Sequence, residues 1–186
     1  MESVSFTRME DGTREEYAFL GGLWQAHQQG ALADNVLGLF ERLAGPTLGY
    51  KVDRYQHSLQ CATRALRDEA NEETVVCALL HDMGDSFAPD NHGELAAAIL
   101  RPYVSEANRW IVEHHGLFQG YYFWHHLGRD RDARERYRGH PQFEACAEFC
   151  ARWDQTSFDP DFDTLPLEHF EPMVRRIFAR EPRQYD

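Results

Sequence analysis

An all-α fold is what this chain predicts, and three features of the sequence carry that expectation. Apolar residues recur at spacings of three and four along nearly the whole length, almost no stretch alternates with the two-residue period of a strand, and capping residues stand at several expected helix starts. With 186 residues, 42% of them hydrophobic, the chain can bury one sizeable core. No linker-like run, internal repeat or low-complexity segment divides it, so it reads as one domain over 1–186.

The elements follow in order. Two helices are expected over about 14–28 and 34–44, and "QHSLQCATRAL" falls in a third over about 55–69. Asn71, whose side chain can accept from a first-turn amide, precedes "EETVVCALLHD" in a helix over about 72–84. "HGELAAAIL" lies in the next, about 91–101, and Ser105 is placed to cap "EANRWIVEHH" over about 105–115. An aromatic-rich helix over about 118–127 and "FEACAEFCARWD" over about 140–153 come next, separated by "RDRDARERYR", a mixed-charge stretch that reads as a solvated face. After the loop "FDPDFDTLP", Pro166 sits where a first helical turn tolerates proline and opens the last helix, about 166–180. Cys61, Cys77, Cys146 and Cys150 fall inside helical stretches rather than in a spaced disulfide pattern, which implies buried thiols.

Charge narrows the partners. A formal net charge of −12 repels a phosphate backbone, so no nucleic acid is expected. No run is apolar enough for a membrane span, and the acidic start "MESVSFTRMEDGTREEY" lacks a secretory leader; a cytoplasmic protein with no membrane partner is expected, of open oligomeric state.

The chemistry is concentrated at "ALLHDMGD", where an apolar run ends in His81, Asp82 and Asp85 instead of continuing into core. Other expected helices each bring a potential ligand: His57 in "HSLQCATRAL", His92 in "NHGELAAAIL", His115 in "WIVEHHG", with His114 as its close competitor, and Asp154 at the end of "FEACAEFCARWD". Asp154 lies four residues after Cys150 and eight after Cys146, which continues an inward stripe and demands a partner for its carboxylate. A lone histidine on an amphipathic helix is usually a hydrogen-bonded core or surface residue. Four imidazoles and two carboxylates near helix ends instead suit a pair of divalent metals, with a carboxylate between the ions to offset their repulsion.

This ordered pattern, His57, His81-Asp82, His92, His115 and Asp154, resembles the HD-domain superfamily over roughly residues 50–160, with helical additions at both ends. Within it, "QHSLQCA", "ALLHDMG" and "VEHHG" look most like the mixed-valent di-iron oxygenases, the branch of myo-inositol oxygenase and the hydroxyphosphonate-cleaving dioxygenases. The resemblance implies a helical bundle with a two-metal site in its core. One iron would be held by His57, His81, Asp82 and Asp154 and the other by Asp82, His92 and His115, as an Fe(II)/Fe(III) pair that uses O2 to cleave a C–C or C–P bond of a small hydroxylated substrate. His81, Asp82 and Asp85 are then the catalytic candidates.

Three positions depart from the phosphonate-cleaving pattern: Asp85 stands where those relatives carry His, Gln119 where they carry Lys, and Ala151 where they carry Arg. The loss of cations argues against a dianionic phosphonate and for an amine or ammonium group facing Asp85, with Phe118, Gln119 and Tyr122 as further substrate contacts. An HD-type phosphohydrolase using Mn or Mg, and a non-catalytic metal-binding domain, are the alternatives.

Overall fold

The computed structural model describes residues 2–183, and among them every regular element is helical. α1 spans Arg14–Glu41, α2 Arg54–Arg67, α3 Glu72–Leu80, α4 His92–Leu100, α5 Glu106–Phe123, α6 Phe143–Phe149 and α7 Leu167–Phe178. No helix is long and apolar enough to cross a membrane.

Capping sets the starts. Asn71 accepts from Thr74 N at the head of α3, and Ser105 accepts from Asn108 N at the head of α5. Asp53 accepts from Gln56 N and so opens α2 four residues before His57. Thr13 and Glu16 form a reciprocal capping box on α1. α7 begins just after Pro166.

Two expected breaks are absent. α1 runs unbroken through Gly30, and α5 runs through Gly116 into the aromatic stretch, because a single glycine lowers helix propensity without ending a helix that good formers flank. Two other helices end sooner than the periodicity implies. α3 stops at Leu80, with His81 as its C-cap, so that "HDMGD" is a turn. α6 passes at Cys150 into a wider π turn, Cys150–Asp154, a distortion often found at functional sites.

α2 packs on α3, α4 on α5 and α6 on α5, while α7 covers α3 and the C-terminal half of α1. The core between them is filled by Phe40, Leu79, Leu80, Met83, Leu100, Phe118, Phe143, Phe170 and Ile177, all fully buried. The four cysteines are free and buried. The "RDRDARERYR" stretch is only partly solvated, since Arg131 and Arg134 lay their guanidinium groups over Tyr121, 4.2 and 3.8 Å from the ring centroid.

Candidate metal centre

His57 on α2, His81 and Asp82 in the turn after α3, His92 at the start of α4, His115 on α5 and Asp154 at the end of the π turn converge on one point of the core. All but His92 are buried. Two groups of three lie close enough to share an ion, His57 with His81 and Asp154, and His81 with Asp82 and His115. His92 joins the second through its Nε2, 3.1 Å from that of His115.

Hydrogen bonding fixes the ring of each histidine. Nδ1–H donates to a main-chain carbonyl in all four: Ser157 for His57, Ala78 for His81, Pro89 for His92 and Val112 for His115, at 2.6–3.0 Å. A carbonyl oxygen has no hydrogen to offer, so Nδ1 must carry the proton, and in the neutral ring Nε2 is then a bare lone pair. These four Nε2 atoms face one another in pairs, His57 with His81 at 3.3 Å and His92 with His115 at 3.1 Å. Two lone pairs at that distance repel, and a cation beside each pair is what the arrangement suits.

The carboxylates agree. Asp82 Oδ1 lies 3.1 Å from His115 Nε2 and 3.3 Å from His92 Nε2, and its Oδ2 lies 3.5 Å from His57 Nε2 and 3.6 Å from His81 Nε2. Each oxygen therefore serves a different histidine pair. Gln119 Nε2–H donates to Asp154 Oδ1 at 2.9 Å, while Asp154 Oδ2 is buried with no hydrogen-bond partner. An orphaned carboxylate oxygen in a core is costly, and a metal ligand has that form.

Burial opposes ionisation of Asp82, but the imidazoles of His81, His115 and His57 outweigh it and hold its carboxyl well below the usual range. Burial dominates at His81 and pushes it down to about 4. At His115 burial acts the same way, yet the Asp82 carboxylate prevails and raises it to about 9, and a cation taking the place of that proton would leave Nε2 its lone pair.

Two glycines allow this closeness. A Cβ at Gly84, in the turn, would stand 2.5 Å from the backbone oxygen of His92, and one at Gly93 would stand 2.9 Å from the Val112 oxygen and 3.2 Å from the His115 ring. Neither signals itself in sequence, because close approach of two backbones is a tertiary property.

Above the cluster opens a cavity of about 370 Å³, walled by Tyr50, Tyr122, Phe123 and Phe158, with Gln119, Gln155, Gly116 and Arg54 between them and Asp82, His92, His115 and Asp154 at its base. Phe158 stacks on the His57 ring at 4.4 Å, and Tyr50 stacks on Phe158 at 5.2 Å, so three rings run from the rim to His57. Tyr50, Gln155 and Phe158 were not expected from sequence; Phe158 alone had a signal, four residues after Asp154.

Two expected substrate contacts lie elsewhere. Phe118 is fully buried against Phe143 and Trp110 and does not line the cavity, because the helix turns its ring into the core. Asp85 does not line it either: its Oδ2 is 3.3 Å from Arg54 Nε and its Oδ1 is 3.8 Å from His92 Nδ1, so its cationic partner comes from the chain itself. Gln119 and Tyr122 do line the cavity. His114 is engaged outside the cluster, stacked on Trp110 at 4.2 Å with its Nδ1–H donating to the Trp110 carbonyl.

Residues 54–159 match the model of the family described as "HD domain". Among characterised proteins the chain is similar to the 1-hydroxy-2-(trimethylamino)ethyl phosphonate dioxygenase (glycine-betaine-forming) of Leisingera caerulea. The two are 27% identical over 179 residues, which takes in 80% of this chain and 91% of the relative.

Proposed function

The chain belongs to the HD-domain family, and on that premise we propose that it is a non-haem di-iron oxygenase that uses O2 to cleave a C–C or C–P bond of a small hydroxylated substrate bearing an amine or ammonium group. His57, His81 and Asp154 would hold one iron, His92 and His115 the other, and Asp82 both. When bound, an Fe(II)/Fe(III) pair supplies the redox chemistry that activates dioxygen.

The chain's own residues orient and shield. Gln119 fixes the Asp154 carboxylate by donating to Oδ1, which leaves Oδ2 for a metal, and its buried Oε1, without a partner of its own, can accept from a substrate hydroxyl or N–H. The Tyr50–Phe158–His57 stack, together with Tyr122 and Phe123, would limit the water that reaches the reacting carbon. The substrate in the relative's name joins a hydroxyl, a trimethylammonium and a phosphonate. Aromatic faces suit the ammonium. Among the described residues, Arg54 is the one Lys or Arg lining the cavity, and it stands 3.6 Å from Asp82 and 3.3 Å from Asp85, so an anionic substrate group must compete with two carboxylates for it.

The observation that carries this reading is the aromatic, largely uncharged cavity directly over a histidine–carboxylate cluster. Dioxygen chemistry needs water kept out, whereas phosphate hydrolysis needs water and favours cations beside the metals. The test is O2 uptake by protein loaded anaerobically with iron, offered 1-hydroxy-2-(trimethylamino)ethyl phosphonate and hydroxylated quaternary amines without the phosphonate. Uptake matched by a cleaved product supports the proposal. No uptake with any of them, together with Mn- or Mg-dependent turnover of a phosphate ester, would replace it with the phosphohydrolase reading.

A further inference from the structure

We propose that the larger cavity beside the metal centre is a chamber for the far end of the substrate, and that this end is zwitterionic, an amine together with a carboxylate or phosphate. The inference deepens the reading above and rests on it for the reaction at the near end. This second cavity, of about 720 Å³, shares His92, Gly116 and Phe123 with the 370 Å³ cavity over the histidine–carboxylate cluster. Gly116 sets no side chain into that shared wall, where a Cβ would stand 3.7 Å from His92 Nε2. Phe123 is 43% exposed and, among the described residues, stacks on no other ring. Ligand pockets run from about 300 to 1,000 Å³, so the smaller cavity holds little more than a reacting end, and a longer molecule has room to continue past Phe123 into the larger one.

Unpaired charge of both signs gives the chemistry of that far end. Arg129 and Arg136 line the larger cavity, with guanidinium carbons 3.8 Å from the ring centroid of Trp124 and 5.0 Å from that of Tyr137, rings that line it too. Among the described residues neither arginine meets a carboxylate, although the chain holds 31 acidic side chains against 19 basic ones. A guanidinium laid on a ring is held in place and keeps its N–H edge for two-point contact with a carboxylate or phosphate. Asp90 and Glu94, from the turn and the helix start on either side of His92, line the same cavity. Among the described residues Asp90 has no partner and Glu94 takes only the Asn91 side-chain amide, at 3.5 Å, so no ion pair joins these acids to the two arginines. The third acid of the lining, Glu113, is already held by Arg109. Opposite charges that share a cavity without touching are each left to a ligand, the amine to Asp90 and Glu94 and the anion to Arg129 and Arg136. A purely anionic end would meet two unneutralised carboxylates, and a purely cationic one two unneutralised guanidinium groups.

Calorimetric titration of iron-loaded and of chelator-treated protein with γ-aminobutyrate, phosphoethanolamine, butyrate and butylamine is the test. At least one of the two zwitterions should bind in both metal states, about tenfold or more tightly than butyrate or butylamine, and the stronger of them identifies the anion. Arg129→Gln and Arg136→Gln should each weaken that binding about tenfold, as should Asp90→Asn combined with Glu94→Gln, all at exposed sites and with unchanged far-ultraviolet circular dichroism. In chelator-treated protein the zwitterion should shift the nuclear magnetic resonance signals of the Trp124 indole and the His92 ring, which wall the chamber, and leave that of His57 in place. Absence of binding by both zwitterions, binding indifferent to all of these substitutions, binding that requires iron, or a shift at His57 without one at Trp124 would each overturn the proposal. The chelator-treated protein keeps these results separate from O2 uptake, whose failure would remove the oxygenase reading alone.

Discussion

Replacing Asp82 with asparagine keeps the size of the side chain and removes its charge, and in the proposed two-ion site both ions should feel the change. Oδ1 faces His92 and His115 while Oδ2 faces His57 and His81, all within 3.6 Å. Loss of a mere hydrogen-bond partner to a metal ligand costs about 10- to 100-fold in affinity, so loss of a charged ligand sets a floor of roughly 100-fold, or about 2.7 kcal/mol, at each ion. At a metal concentration about 100 times the native Kd, linkage stabilises the wild-type fold by about 2.7 kcal/mol per ion and the variant by about 0.4, a deficit of roughly 4.6 kcal/mol over two ions. For a domain of this size that corresponds to a Tm lower by roughly 10–18 °C in the loaded state. Calorimetry with and without iron under anaerobic conditions, with metal content measured on the same samples, reads both quantities. Asp82→Asn protein that still holds two ions per chain and keeps the full metal-induced rise in Tm would refute the bridging role.

Other perturbations separate structure from chemistry. His114→Ala removes a ring stacked on Trp110 and a hydrogen bond to its carbonyl, so it should cost about 1–2 kcal/mol in stability and leave metal content unchanged, whereas His115→Ala should lose an ion; the reverse pattern in metal analysis would exchange their roles. Gly93→Ala forces a Cβ to within 2.9 Å of the Val112 oxygen, so α4 must shift from α5 at a cost of about 1–3 kcal/mol; equilibrium denaturation should show that loss, with weaker metal binding at His92 and His115. Acid stability should depend on Glu73. Burial opposes its ionisation, but hydrogen bonds from Ser105, Arg180 and Asn108 outweigh burial and hold its carboxyl down at about 2, against an ordinary 4.5. Its contribution is therefore complete above pH 4.5 and fades as pH falls toward 2, and Glu73→Gln should flatten the denaturation midpoint across that window. An unchanged slope would remove Glu73 from the acid transition.

Much of this fold was legible because helical period and capping are local. Asn71 and Ser105 cap where the sequence implies, and the stripe Cys146, Cys150, Asp154 is buried along its length. His57, His81, Asp82, His92 and Asp154 sit near helix ends, where a polar group can face inward without breaking the apolar face behind it, while His115 lies in the middle of α5. What local pattern cannot carry is the meeting of distant segments. Arg54 and Asp85 pair across different elements, Tyr50 and Phe158 reach each other from separate loops, and Gly84 and Gly93 matter only because another backbone passes within a few ångströms. The aromatic run after His115 shows the same limit. Phe118 and Tyr122, one turn apart, share a side of α5, yet the first is buried in the core while the second lines the cavity with Phe123, and the sequence alone does not mark where along that side the core gives way to the cavity.

The central claim is that six side chains from five places in the chain enclose two ions with Asp82 between them, and anomalous diffraction at the iron edge from crystals grown with iron tests it most directly. Two peaks are expected, one among His57, His81 and Asp154 and the other beside His92 and His115, each within bonding distance of one Asp82 oxygen. A single peak, or peaks away from these residues, would contradict the account.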